Sequence, residues 1–300
     1  MTIISFFAIL FFLSLILIFF AYKQSDRILI RKSQKSPLTV FPNQFQVPFE
    51  EVSFKNEEGL NLKGWFIPSS KQSDKTIMFL HGWGQNKGNL LSNTIFLREK
   101  GFNLFYFDFR GSGESAQGPS SIGYLETKDA LSALDYLCSA KPEESKYIGI
   151  YGLSMGAAVA VYTAAHRKEV QCIIAEACYY SYEKVVARWA YNHKKVPYFP
   201  MIPLILFFAR KRLGINPEDY SPKNNIKKLG KKPILIINGL LDTLALRHDA
   251  RELFLAAQHP KQLWLVSGAG HTDCAQSAGH QYQKRLEEFF IKNLGPQESL

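Results

Sequence analysis

Cysteine is scarce in this chain of 300 residues, and no two of its four cysteines form a Cys-x-x-Cys pair. The sequence therefore offers neither the disulfide framework of a small secreted domain nor the ligand spacing of a zinc site. We expect buried or free thiols in a reducing compartment, and no metal. The four residues are Cys138, Cys172, Cys178 and Cys274. With 46% apolar residues, this length suits one large α/β domain or two small ones.

Charged side chains are absent from the first 22 residues, MTIISFFAILFFLSLILIFFAY. As a helix they would measure about 33 Å, which is enough to cross a hydrocarbon core of roughly 30 Å. A cleaved signal peptide, the alternative, would have a basic start, a shorter apolar core and a small-x-small cleavage site, and none of these is present. We therefore predict a retained transmembrane anchor at residues 1–22.

Acidic residues are rare in the flank that follows the apolar run. Five basic residues stand there against Asp26 alone. This positive excess predicts a single-pass membrane protein whose C-terminal body lies in the cytoplasm. The basic residues are Lys23, Arg27, Arg31, Lys32 and Lys35. Residues 23–50 as a whole are predicted to be a basic flank and linker, because three prolines interrupt 36–50.

The body, residues 51–300, alternates strand-like and helix-like runs. Several strand-like runs, such as TIMFL and PILII, are apolar throughout, as expected of a parallel sheet covered on both faces. The alternation predicts a doubly wound α/β fold with functional groups at the C-terminal ends of the strands. The predicted strands are Glu51–Phe54, Leu60–Ile67, Thr76–Leu80, Asn103–Phe107, Tyr147–Tyr151, Gln171–Ala175, Pro233–Asn238 and Gln262–Val266. The predicted helices are Asn89–Lys100, Tyr124–Ala140, Met155–Ala165, Asp249–Ala257 and His280–Asn293.

A Gly-x-Ser-x-Gly motif lies in the stretch IGIYGLSMGAAVAV, where a strand-like run becomes a helix-like one. A tight turn is one interpretation. The other is a nucleophile elbow, in which Gly152 and Gly156 relieve crowding around a sharply bent backbone and expose Ser154 at the rim of the sheet. A serine nucleophile needs a base within hydrogen-bond reach and a carboxylate that orients the base.

Two residues after later strands fit those roles in the chain order serine, acid, histidine. Asp242 follows the strand-like run PILIING, and His271 follows QLWLVSG. The alternatives are an ordinary turn aspartate and a surface histidine, and Asp249 and Asp273 compete for the acid role. We predict Ser154, Asp242 and His271 as the catalytic residues.

Acyl transfer also requires donors for the developing oxyanion. One is expected from the backbone N–H of Met155, directly after the serine, and the other from the loop after an earlier strand. That loop reads HGWG, so Trp83 is the predicted second donor, and Gly82 and Gly84 let the backbone approach closely. His81 is expected to be structural.

Five motifs, FLHGWG, FDFRGSGES, GLSMG, NGLLDTL and GAGH, stand in an order that resembles the α/β-hydrolase superfamily. The chain is most similar to its serine-hydrolase branch, with membrane-anchored lysophospholipase-like or serine aminopeptidase (S33-like) members. Over residues 50–295 this resemblance implies an eight-stranded, mostly parallel sheet and a Ser154–His271–Asp242 triad. Two departures are Ala157, where a third glycine is common, and DTLAL, where D-x-x-V-P is common.

Acidic residues are again few in residues 179–232, where the fold usually inserts a lid, and we expect a helical lid insertion there. This segment has twelve Lys and Arg residues and three acids, a net +9 against +10 for the whole chain. We expect no nucleic-acid partner, because nothing resembles a recognition fold. One interpretation is an ordinary lid. The sharper hypothesis is a lid that rests on an anionic leaflet, with VPYFPMIPLILFFARKR at the membrane surface.

Together these features predict a membrane-anchored serine hydrolase of esters or thioesters, with acyl-lipid or long-acyl substrates and no cofactor. An aminopeptidase-like enzyme is the alternative within enzymes, although the lid offers few acids to hold a substrate amine. A catalytically silent, membrane-tethered interaction protein is the alternative from another class. The oligomeric state is left open.

Overall fold

The computed structural model describes residues 3–29 and 35–296. Three parts of the predictions lie outside the described residues. They are residues 1–2 of the predicted anchor, the basic residues Arg31 and Lys32 of the flank, and residues 297–300 of the predicted hydrolase domain.

An eight-stranded sheet forms the centre of the body. Its order is β1-β2-β4-β3-β5-β6-β7-β8, and pairing is antiparallel between β1 and β2 and between β2 and β4, and parallel elsewhere. The strands are β1 (Glu50–Lys55), β2 (Asn61–Ile67), β3 (Lys75–Leu80), β4 (Asn103–Phe107), β5 (Tyr147–Leu153), β6 (Val170–Glu176), β7 (Ile234–Gly239) and β8 (Lys261–Val266). This arrangement confirms the predicted doubly wound α/β fold.

Helices cover both faces of the sheet, so that side chains alternate between two separate cores along each strand. One core lies under α3 (Tyr124–Ala140), α4 (Met155–His166) and α8 (Arg247–Ala256). The other lies under α2 (Gly88–Thr94) and α10 (His280–Asn293). A short α9 (Cys274–Ala278) precedes α10. Residues of the predicted linker, Leu38 among them, pack against the second core.

One predicted helix is shorter than its sequence suggested. The run Asn89–Lys100 forms α2 only to Thr94, and a 3-10 turn, Ile95–Arg98, follows. The buried Thr94 hydroxyl donates to the carbonyl oxygen of Leu90 at 2.7 Å and lies 2.8 Å from the Tyr106 hydroxyl. Because β-branched residues are poor helix formers, Thr94 followed by Ile95 favours an end at this point.

Three helices lie between β6 and β7, in the segment predicted to be a helical lid, although no bounds were predicted for them: α5 (Tyr182–Lys194), α6 (Met201–Leu213) and α7 (Pro222–Asn225). We call residues 179–232 the lid. Pro203 is in the first turn of α6, where a helix needs no backbone N–H donor, so it does not interrupt the helix. Two further 3-10 turns, Pro217–Tyr220 and Ile226–Leu229, complete this segment.

Helix α1 (Ile3–Leu29) and a 3-10 turn, Pro42–Phe45, precede the body. Its portion Ile3–Asp26 is long and apolar enough to cross a membrane by length and composition, a test that a signal sequence near the N-terminus also passes. The side chains from Ile3 to Phe20 are exposed, whereas Ala21 and Ser25 are fully buried. The apolar part of α1 therefore extends away from the body.

Candidate active site

Ser154 lies on the turn between β5 and α4, with backbone angles of φ 54° and ψ −112°. The flanking glycines are required by close backbone contacts. A Cβ at Gly152 would lie 2.3 Å from the carbonyl oxygen of Gly156, and a Cβ at Gly156 would lie 2.1 Å from that of Leu80. A left-handed, non-glycine residue held between two such contacts is the strained geometry expected of a nucleophile elbow.

A chain of two hydrogen bonds joins Ser154, His271 and Asp242. The Ser154 Oγ lies 2.8 Å from His271 Nε2, and His271 Nδ1 lies 2.7 Å from Asp242 Oδ2. Because a carboxylate only accepts hydrogen bonds, Nδ1 carries the proton of a neutral imidazole. Nε2 is then free to accept the hydroxyl proton of the serine. The fold thus brings together the three residues singled out in the sequence.

The loops that carry Asp242 and His271 follow β7 and β8 and are in backbone contact. A Cβ at Gly239 would lie 2.1 Å from the carbonyl oxygen of Gly270, and the Leu241 N–H donates to the Ala269 carbonyl oxygen at 2.8 Å. These contacts hold the acid loop against the histidine loop. A larger residue at position 239 would separate them.

The carboxylate of Asp242 is buried and held at both oxygens. While Oδ2 faces His271, Oδ1 accepts the backbone N–H groups of Leu244 and Ala245 at 2.8 and 2.9 Å. The unusual DTLAL loop therefore still orients its aspartate. The competing aspartates bond elsewhere: Asp249 pairs with Arg188, and Asp273 accepts the Gly270 N–H at 2.6 Å.

The two predicted oxyanion donors border the cavity onto which Ser154 opens. Met155 is the first residue of α4, where a backbone N–H has no acceptor within the helix. Trp83 lies in the loop after β3, between Gly82, whose N–H donates to Gln85 Oε1 at 2.9 Å, and Gly84, which has φ 76°. Trp83 and Met155 therefore line the same cavity as the serine.

His81 is fully buried and braces this loop. Its Nε2 accepts the Phe109 N–H at 3.1 Å, so Nδ1 carries the proton and donates to the Gly82 carbonyl oxygen at 2.8 Å. Burial lowers the pKa of the imidazole. Both ring nitrogens of His81 are therefore engaged in backbone hydrogen bonds, as expected of a structural histidine.

The cavity above Ser154 has a volume of about 220 Å³ and is mostly apolar. Helix α5 forms one wall with Val185, Val186 and Trp189, and the Trp189 ring meets the Trp83 ring edge-on at 5.7 Å. No carboxylate of the described residues lines this cavity. Its border residues are Trp83, Ile122, Ser154, Met155, Tyr179, Val185, Val186, Trp189, His193, Leu244 and His271.

Sequence reasoning missed a buried carboxyl group beside the elbow. Glu176, the last residue of β6, accepts the hydroxyls of Tyr151 and Tyr282 at 2.9 and 2.7 Å, and its carbonyl oxygen accepts the Ser154 N–H at 2.8 Å. Burial raises the pKa of this carboxyl. The only feature of the sequence that indicated this group was an acidic residue at the end of an apolar strand.

Among the described residues no group of three His, Cys, Asp or Glu side chains could hold a metal ion.

The chain is similar in sequence and in fold to several known proteins. Residues 71–206 match the family model described as "Serine aminopeptidase, S33". The chain is 29% identical over 259 residues to the uncharacterised protein YfhR of Escherichia coli O157:H7, covering 83% of this chain and 82% of YfhR. It is 26% identical over 276 residues to the α/β hydrolase domain-containing protein WAV2 of Arabidopsis thaliana, covering 87% and 83% of the two chains.

Among solved structures, the Pyrococcus furiosus esterase Pf2001 superposes with a TM-score of 0.74 at 28% identity, covering 89% of this chain and 99% of the esterase. Strand order, the serine turn and these likenesses together define an α/β-hydrolase fold. The chain belongs to the α/β-hydrolase superfamily and is a hydrolase.

Proposed function

We propose that this protein is a membrane-anchored serine hydrolase that cleaves carboxylic esters or thioesters, with acyl-lipid or long-acyl compounds as its substrates. The observation that carries the proposal is the hydrogen-bonded series Ser154–His271–Asp242 at the floor of an apolar cavity. A serine, a base and a buried acid in this order are the arrangement that acyl transfer requires.

In the proposed reaction the Ser154 Oγ attacks the acyl carbonyl carbon while His271 Nε2 takes the hydroxyl proton. The backbone N–H groups of Trp83 and Met155 stabilise the oxyanion. As the tetrahedral intermediate collapses, the imidazolium returns its proton to the leaving alcohol or thiol. Water then attacks the acyl-enzyme with the same base, and the acid and the free serine are released. Asp242 holds the imidazole in the required tautomer and supports its positive charge.

The lining of the cavity favours an acyl chain over a charged substrate. Valines, aromatic rings and Leu244 surround the serine, and burial of one methylene group contributes about 0.8 kcal/mol. The cavity, at about 220 Å³, is smaller than most ligand pockets. A long chain would therefore fill it with its first carbons and continue outward along α5.

Helix α1 supports the membrane part of the proposal. Its exposed, uncharged stretch has the length of a bilayer crossing, and the basic flank favours a cytoplasmic body. Alkaline extraction of isolated membranes tests the anchor. The full chain should stay with the membrane, whereas release into the soluble fraction would contradict a spanning helix.

A series of p-nitrophenyl esters of increasing acyl length tests the substrate class, with Ser154→Ala as the blank. We expect kcat/KM to rise by up to about fourfold per added methylene while the cavity fills, and then to level off. A preference for acetate would contradict an acyl-chain site. Hydrolysis of amino-acid p-nitroanilides in place of esters would favour the peptidase alternative, and activity on neither would favour the silent one.

A further inference from the structure

The end of α1 packs against the lid helix α6. The rings of Tyr22 and Phe208 meet edge-on at 5.4 Å, and the Arg212 guanidinium lies 4.3 Å from the Tyr22 ring centroid. Arg212 also forms an ion pair with Asp26 at 2.9 Å. Ala21 is buried in the same apolar cluster as α6, so the two helices are in close contact.

This contact fixes the height of α6 relative to a bilayer. The exposed stretch from Ile3 to Phe20 accounts for about 27 Å of helix, close to the thickness of a hydrocarbon core. The next residue, Ala21, is fully buried in the cluster that it shares with α6. If α1 spans the membrane, as proposed above, the Phe208 and Arg212 end of α6 lies at the level of the lipid headgroups.

The neighbouring face of α6 has the composition of a membrane-surface helix. Phe207 and Lys211 each precede a contact residue by one position, so they lie about 100° around the helix. Phe207 is 52% exposed, and the Lys211 ammonium lies 5.9 Å from its ring centroid. With Arg210 they border a shallow depression of about 390 Å³. Among the ion pairs of the described residues, neither Arg210 nor Lys211 has an acidic partner.

The same helix reaches the active site through α5. Ile202, Ile205 and Leu206 of α6 pack with Val186 of α5, and Val186 also lines the cavity above Ser154. A lipid contact on α6 is therefore one packed layer from the substrate cavity.

We propose that Phe207, Arg210 and Lys211 form a binding surface for the phosphate headgroups of an anionic phospholipid leaflet. Phe207 inserts at the interface, the two basic side chains bind headgroup phosphates, and the Asp26–Arg212 contact holds this surface at the correct depth. This inference rests on the proposed membrane anchor and does not depend on the hydrolase chemistry.

Tryptophan fluorescence of the full chain in nanodiscs tests the surface. Phe207→Trp would be compared with the wild-type chain, in discs of phosphatidylcholine alone or with about one third phosphatidylglycerol, with bromine on the upper acyl carbons as quencher. We expect the added fluorescence to be quenched about twofold more in the anionic discs, with the difference lost at high salt. The same result in a Ser154→Ala background would separate lipid binding from catalysis.

Charge-neutralising variants identify the residues on which the dependence on anionic lipid rests. Arg210→Gln with Lys211→Gln should abolish the dependence on anionic lipid, whereas Lys227→Gln with Lys231→Gln, an equal charge change at exposed lid positions, should preserve it. An equal loss in both pairs would overturn the specific surface, as would quenching that ignores lipid charge or no quenching at all. If the first pair fails to fold, the same quenching is measured at increasing salt with Arg210→Gln alone.

Discussion

The strand ends that carry the triad and the lid that covers it border the same cavity, but different contacts hold them. At the strand ends, backbone meets backbone: Gly156 lies against the Leu80 carbonyl, and Gly239 against the Gly270 carbonyl. The lid is held by side chains, through apolar packing of α5 on α6 and the Arg188–Asp249 pair. The difference shows where the fold tolerates change, because a backbone contact leaves no room for another atom, whereas side-chain packing can adjust.

The largest expected effect tests the acid at the strand ends. Asp242→Asn should lower kcat by about 10³-fold to 10⁴-fold, because an amide can donate to Nδ1 and favour the wrong imidazole tautomer. Ester hydrolysis measures this loss. Asp273→Asn and Asp249→Asn are the matched controls, and both should retain activity within about tenfold of wild type. A loss in Asp249→Asn as large as in Asp242→Asn would mean that the lid contact matters as much as the triad.

A pair of glycine substitutions compares the two regions directly. Gly156→Ala should destabilise the fold by about 3 kcal/mol, since its Cβ would lie 2.1 Å from a backbone oxygen that cannot move aside. Gly214→Ala, at the end of α6, has nothing within 4 Å of the new Cβ and a φ of 67°. It should cost only about 1 kcal/mol, from backbone strain. Thermal unfolding of the detergent-solubilised chain measures both, and equal losses would contradict the comparison.

The smallest effect is a change in the pH dependence of stability at Glu176. Burial raises the pKa of this carboxyl in the folded chain above its ordinary value of 4.5. The folded chain therefore binds the proton more tightly, and the resulting stabilisation is complete below pH 4.5 and is lost as the pH rises through the folded pKa. Glu176→Gln keeps an acceptor for the tyrosine hydroxyls but does not titrate.

We therefore expect the Tm of Glu176→Gln to rise relative to wild type as the pH increases from 4.5 towards neutrality. Glu143→Gln, a substitution at an exposed surface position, is the control and should follow the wild-type curve. Parallel curves for wild type and Glu176→Gln would mean that burial does not alter this titration.

The strand ends were largely predictable from the sequence, because their pattern is local. Asn103–Phe107, Tyr124–Ala140 and His280–Asn293 have the predicted boundaries, and the strand-to-helix change at Ser154 was visible in the letters alone. The glycines and the chain order of the motifs also pointed to Asp242 and His271. Glu176 was not found, since its tyrosine partners lie on β5 and α10, far along the chain.

The lid was much less predictable. The bounds of α5 and α6 could not be predicted, because prolines and mixed charge obscure the helical pattern. Pro203 is compatible with the first turn of a helix, but nothing in the sequence marks that turn. The contact between α1 and α6 joins Tyr22 to Phe208, residues far apart in the chain whose pairing depends on the whole fold. Such contacts leave no periodic signal, so the wall of the cavity that α5 forms could not be named in advance.

The role of Ser154 is tested most directly by covalent labelling with a fluorophosphonate, followed by peptide mass mapping. In the proposed reaction the Ser154 Oγ attacks phosphorus and fluoride leaves. We expect one adduct per chain, on the peptide that contains Ser154, and none in Ser154→Ala, while the exposed Ser277→Ala labels like wild type. A folded wild-type chain that does not label, or an adduct on another serine, would contradict a nucleophilic Ser154.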